Sequence, residues 1–139
     1  ASGGITAANA STYGTSVNGL LVSTNLTATG GIILKGVTGS ASATYKGVSV
    51  TAGTFTAAGT FAVGEDAINI TGVSAGVTAN QSAVSLTGTV AIINNSTNGN
   101  TSLIALGGRY YDPVTITNAA TAGAIAISAI DTCSPVASS

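Results

Sequence analysis

Along this chain apolar residues fall at alternate positions over short runs, and glycine, asparagine or serine separates one run from the next. Leu20, Val22 and Leu26 open the pattern, and a denser run follows from Ile32 to Val37. Further runs cover Lys46 to Ala52, Thr54 to Val63, Ala67 to Val73, Ala83 to Ile93, Thr101 to Leu106, Pro113 to Thr117 and Ala124 to Ile130. A period of two places alternate side chains on opposite faces of a strand, so the pattern predicts about nine or ten short strands in a sandwich or barrel. β-Branched residues number 46 of 139, and they pack better on a pleated surface than in a helix. No fixed repeat of about 20 to 50 residues emerges, so a solenoid is not predicted.

The first residues are small and polar, with isolated apolar positions at Ile5, Ala7, Tyr13 and Val17. They predict an extended arm over 1–17, followed by a single β domain over 18–139. Asn94 to Asn100 supplies residues that tolerate positive φ and predicts a surface loop between two strands. Gly53, Gly59, Gly72 and Gly88 fall inside strand patterns, where bulges or tight sheet packing account for them.

Charge is scarce: only Lys35, Lys46, Arg109, Glu65, Asp66, Asp112 and Asp131 carry it, and the net charge is −1. There is no histidine and one cysteine, Cys133. That composition excludes most catalytic triads, zinc sites and acid/base relays, so no enzyme, no metal and no cofactor are expected. It also provides no electrostatic footprint for nucleic acid. Disorder does not fit either, because 12 Val and 12 Ile accompany only 2 Pro. No run approaches the roughly 20 apolar residues of a membrane-spanning helix. No signal peptide is visible ahead of Ala1-Ser2-Gly3-Gly4, so for a secreted protein the numbering is expected to begin after processing.

The strongest functional signal is the set of N-glycosylation sequons at Asn9, Asn25, Asn69, Asn80, Asn94, Asn95 and Asn100. Seven of the ten asparagines qualify, whereas the Ser and Thr content would place about 2.7 by chance. The excess points to secretion and N-linked glycans. Asn94 and Asn95 overlap, and crowding allows a glycan on only one. Sugars would also hydrate a surface far below the usual charged fraction of about 25–35%. With four carboxylates and no histidine, stability is expected to vary little with pH.

A sequon-rich, Thr/Ala/Gly/Val-rich β-protein with a small-residue arm before its first strong strand resembles the glycosylated thread filament subunits of thermoacidophilic archaea. The resemblance implies an immunoglobulin-like, pilin-like β-sandwich completed by a neighbour's donor strand. It further implies an extracellular, cell-surface filament of identical subunits in a helical or linear polymer, serving adhesion to cell or abiotic surfaces or biofilm contact. In that arrangement the donor is residues 3–17, with Ile5, Ala7, Tyr13 and Val17 filling the acceptor groove, and Ala124 to Ile130 is a second candidate.

A Lys–Asn isopeptide crosslink would need Lys35 or Lys46 beside an asparagine and a buried acid such as Glu65. Adjacent Glu65 and Asp66 would point to opposite faces of a strand, so a solvated turn explains them better than an active site. Asp112 lacks the companions of a calcium site, Cys133 lacks a partner in the chain, and Arg109-Tyr110-Tyr111 reads as an edge strand. The competing function is a monomeric secreted adhesin or ice-binding protein using Thr-x-Thr ladders. These occur at Thr27/Thr29, Thr54/Thr56, Thr87/Thr89 and Thr115/Thr117, at spacings too irregular for a repeating coil.

Overall fold

The computed structural model describes residues 3–8, 17–39, 42, 44–74, 82–107, 109–111, 115–119, 123 and 125–130. Among these lie thirteen strands: β1 (Ile5–Ala8), β2 (Leu20–Val22), β3 (Leu26–Ala28), β4 (Ile32–Thr38), β5 (Val48–Val50), β6 (Gly53–Ala57), β7 (Asp66–Ser74), β8 (Ser82–Leu86), β9 (Val90–Asn94), β10 (Asn100–Leu106), β11 (Arg109–Tyr111), β12 (Thr115–Asn118) and β13 (Ile125–Ile130). Consecutive strands enter different sheets. Sheet A has the order β1-β4-β7-β10-β13, sheet B β11-β8-β5-β2 and sheet C β12-β9-β6-β3. Every third strand therefore returns to the sheet it left, one layer further on, and each pairing is parallel. The chain is wound into a three-sided parallel β-solenoid.

This overturns the expected immunoglobulin-like sandwich, which is antiparallel. Alternation reports only that one face of a strand is buried, and it is the same for a sandwich strand and a solenoid strand. The β2–β3, β5–β6 and β8–β9 connections are two or three residues long, as a hairpin's would be, yet each turns a corner from sheet B to sheet C. Ladder bonds continue through these corners: Thr51 N donates to Val22 O at 3.0 Å and Thr87 N to Val50 O at 2.9 Å. The expected run from Ala83 to Ile93 is split at such a corner, where Gly88 takes a φ of 74°.

The exclusion of a solenoid is corrected with it. Ile5 pairs with Ile32, Ile32 with Ile68, and Thr101 with both Ile68 and Ile125, so successive coils advance by 27, 36, 33 and 24 residues. The strands hold register while the connections absorb the differences in length.

Inward-facing side chains stack in columns between layers about 4.8 Å apart. Leu34, Ile70 and Leu103 form one column, Val48 and Val84 a second, and Phe55 and Ile92 a third, all with no exposed surface. Where sheet A meets sheet B the interior narrows to backbone against backbone. Gly36 and Gly72 are register partners there, and a Cβ on Gly72 would stand 2.1 Å from the Ala83 carbonyl oxygen. Both faces of β5 and β8 are buried, whereas Leu21 of β2 is exposed on the outer side of the same sheet.

Within the arm expected to be donated to a neighbour, residues 5–8 belong to the chain's own sheet. β1 pairs with β4 through Ile5↔Ile32 and Ala7↔Leu34, and Ile5 and Ala7 pack against the core. Of the other expected groove contacts, Val17 is exposed while its carbonyl accepts the Thr38 hydroxyl at 2.8 Å, and Tyr13 lies outside the described residues.

Candidate functional site

The outer face of sheet A carries a groove of about 430 Å³ at the N-terminal ends of its strands. Its floor spans three strands. Thr6 of β1, Ile33 of β4 and Asn69 of β7 share one register position, and Lys35 of β4 stands beside Thr71 of β7 at the next outward position. The turn preceding β7 forms the wall and contributes Phe61 and Glu65, and Asp66 opens the strand itself. Three of the chain's seven charged residues, Lys35, Glu65 and Asp66, thus meet in one place.

Hydrogen bonds fix the acidic side of this groove. Asp66 Oδ2 accepts from Asn69 Nδ2 at 2.7 Å, and Asp66 Oδ1 accepts from the Ser102 hydroxyl of β10 at 2.7 Å. Asn69 Oδ1 accepts in turn from the Thr71 hydroxyl at 2.6 Å. Glu65 Oε2 accepts from Ala62 N at 3.0 Å, closing the turn. Glycines make room for the Phe61 ring: a Cβ on Gly99 would come within 2.9 Å of its Cδ2, and one on Gly31 within 3.6 Å of its Cε1. Phe61 N also donates to Thr97 O at 3.0 Å, tying the turn to the next coil.

The sequence predicts Glu65 and Asp66 in a solvated turn, with opposite faces had they shared a strand; Asp66 in fact opens β7. Glu65 instead precedes β7, so strand alternation does not apply to it, and the two line the same groove. Lys35 and Asn69 also meet there, but Lys35 and Glu65 are both exposed. Isopeptide formation requires apolar burial, which this exposed pair lacks. Lys46, whose ammonium burial pulls below the usual lysine range, is not among the groove residues.

A second polar cluster is buried in the turn after β9. Asn94 has no exposed surface; its Nδ2 donates to Gly99 O at 2.8 Å and to the Thr101 hydroxyl at 3.0 Å. Its Oδ1 accepts from Ser96 N at 3.0 Å and from the Ser96 hydroxyl at 2.5 Å. The expected surface loop is therefore folded around an inward asparagine, and the positive φ falls at Asn98, at 65°.

This geometry separates the overlapping sequons. Both amide hydrogens of Asn94 are committed inside the fold, whereas Asn95 is exposed. Asn95 is expected to carry any glycan of this pair and Asn94 none, a difference that glycopeptide mass spectrometry of protein from a glycosylating host reads directly. Asn25 is exposed, with its Oδ1 accepting from Thr54 N at 2.8 Å, and Asn100 is half-buried at the start of β10. Asn9 and Asn80, like Asp112 and Cys133, lie outside the described residues.

The Thr-x-Thr pairs are partly aligned by the coil. Thr27 and Thr56 are register partners on sheet C, but the next layer places Ala91 and Ile93 opposite Thr54 and Thr56. Thr29, Thr87 and Thr89 lie outside the strands. The array is thus interrupted at its centre. Among the described residues no three metal-ligating side chains of the His, Cys, Asp or Glu type come together, and no helix is long and apolar enough to cross a membrane.

Fold and sites together define a parallel β-solenoid with a mixed-charge groove on one flank. Comparison with known proteins finds no matching family model, no similar curated protein and no similar solved structure.

Proposed function

We propose that this protein is a non-catalytic structural element of an extracellular assembly, a rod-like coil joined to a second copy through its first layer. The observation that carries this reading is the state of that layer. Ile5, Ala7, Leu20 and Leu26 face inward yet keep solvent exposure, while their register partners Ile32, Leu34, Val48 and Phe55 have none. An apolar end whose strands lie at the sheet edges among the described residues is a template for further pairing. A second copy presents the same surface, so a two-fold contact through β1 to β3 buries both apolar ends and pairs the edges antiparallel. The sequon excess and the exposure of Asn25 and Asn95 support the extracellular setting. Unlike donor-strand exchange, this junction leaves each β1 in its own sheet.

Two substitutions test the junction. Ile5 N donates to Gly31 O at 2.7 Å, so alternation turns the Thr6 N–H toward the free edge. Thr6→Pro therefore blocks edge pairing with little loss inside the subunit. Leu20→Lys places a charge in the apolar end. In sedimentation, the wild-type chain is expected to dimerise with concentration, and both variants to remain monomeric with unchanged β circular dichroism. A wild-type chain that stays monomeric at its solubility limit, or a Thr6→Pro variant that still dimerises, refutes the reading.

A further inference from the structure

We propose that the sheet A groove is a binding site for a neutral saccharide. Its volume, about 430 Å³, falls in the range of small-ligand sites. Phe61 supplies an apolar ring face at the wall and Ile33 an apolar floor. Around them stand groups of both hydrogen-bonding senses, as alternating hydroxyls on a sugar ring require. The Lys35 ammonium donates, the second Glu65 oxygen accepts, and the remaining N–H of Asn69 donates.

Two features favour a neutral sugar over a charged ligand. The groove sets one ammonium against two carboxylates, so it offers no net attraction to a phosphate or a polyuronate. Its positive group, the Lys35 ammonium, forms no hydrogen bond or ion pair among the described residues and so can donate to a ligand hydroxyl. The site is also set before a ligand arrives. Both Asp66 oxygens are occupied by Asn69 and Ser102, which holds the Asn69 amide in one orientation, and the Phe61 ring is seated over glycines. Preorganisation of this kind lowers the ordering cost of binding. The groove shares Thr6 with the first layer, but its charged groups come from β4, β7 and the turn before β7, so the proposal does not rest on the end-to-end junction.

The test is calorimetric titration of unglycosylated protein with neutral gluco-, galacto- and manno-oligosaccharides, with an oligouronate and a polyamine as charged comparators. At least one neutral oligosaccharide is expected to bind saturably. Lys35→Ala and Glu65→Gln, both at exposed positions, are each expected to weaken it roughly tenfold, the effect of losing one charge-assisted hydrogen bond. Phe61→Leu is expected to weaken it comparably by removing the ring face, with its urea midpoint measured alongside. Thr27→Ala on sheet C should leave affinity unchanged. The proposal is overturned by absence of saturable binding across the neutral series, by tighter binding of either charged comparator, or by affinity that Lys35→Ala and Glu65→Gln leave intact.

Discussion

Gly72→Val is expected to destabilise the chain by at least about 3 kcal/mol. Gly72 lies inside β7, buried at the seam where sheet A turns into sheet B. A Cβ there would stand 2.1 Å from the Ala83 carbonyl oxygen and 2.7 Å from both Ala83 C and Val84 Cγ2. Two of those three atoms are backbone, held by the ladder of β8, so no side-chain rotation relieves the clash. The same seam recurs one coil earlier, where a Cβ on Gly36 would approach the Gly47 carbonyl oxygen within 1.9 Å. In the following coil the register position belongs to Ala105, so the seam opens there by one methyl group. Overpacking usually costs about 1–3 kcal/mol and more where backbone must move, so a cost of at least about 3 kcal/mol is expected against a total stability of about 5–15 kcal/mol. Urea unfolding followed by circular dichroism gives the value. Gly64→Ala is the informative comparison: that position has open space and a φ of 94°, so only backbone strain of about 1–2 kcal/mol opposes the side chain. A Gly72→Val midpoint close to the wild-type value would show that the seam can widen and that the coil is looser than its geometry implies.

Asn94→Ala is expected to cost about 3 kcal/mol. Truncation removes the two donated and two accepted hydrogen bonds of the side chain. Ser96 N–H loses the Asn94 acceptor, and Gly99 C=O keeps only a 3.4 Å contact from the Ser96 hydroxyl. Leaving a buried polar group unpaired costs about 1–3 kcal/mol, and members of a network lose more together than singly. Asn94→Asp should be worse at neutral pH, because a carboxylate cannot donate to Gly99 O and its charge would be buried. Asn95→Ala, one residue away and exposed, should change stability by less than about 0.5 kcal/mol. The same experiment has a local readout: the Ser96 amide should lose hydrogen-exchange protection in Asn94→Ala before the strands of sheet A do. Equal midpoints for Asn94→Ala and Asn95→Ala would mean that the buried turn does not support the coil.

The two substitutions probe different parts of one construction. The glycine seam sets how closely two sheets approach, and the asparagine turn fixes the corner between β9 and β10. The turn lies close to the groove's supports, since Gly99 accepts from Asn94 and also makes room for the Phe61 ring. Loosening the turn should therefore disturb the groove wall as well as the core.

Much of the secondary structure was legible in the chain. The alternation of Ile32, Leu34 and Gly36 with Ile33, Lys35 and Val37 gave β4 nearly to its ends, and the runs around Ile70 and Leu103 gave β7 and β10. The groove was not legible. Lys35 and Asn69 are 34 residues apart and meet only because β4 and β7 stack in register, and Glu65 joins them from the turn that precedes β7. The Asn94 turn was half visible: its residue types marked a turn, while its inward side chain followed from the Thr101 and Gly99 partners that the next strand brings.

The sequence by itself determined that the chain forms strands, which side chains turn inward, and that charge is too sparse to organise its surface. Tertiary structure alone decided that those strands run parallel in a three-sided coil, that residues 5–8 belong to the chain's own first layer, and that three charges converge on one flank. The reason is the range of the interactions involved. Alternation is a local consequence of strand geometry, whereas ladder direction and register depend on which strand lies alongside, across loops of unequal length that carry no periodic trace.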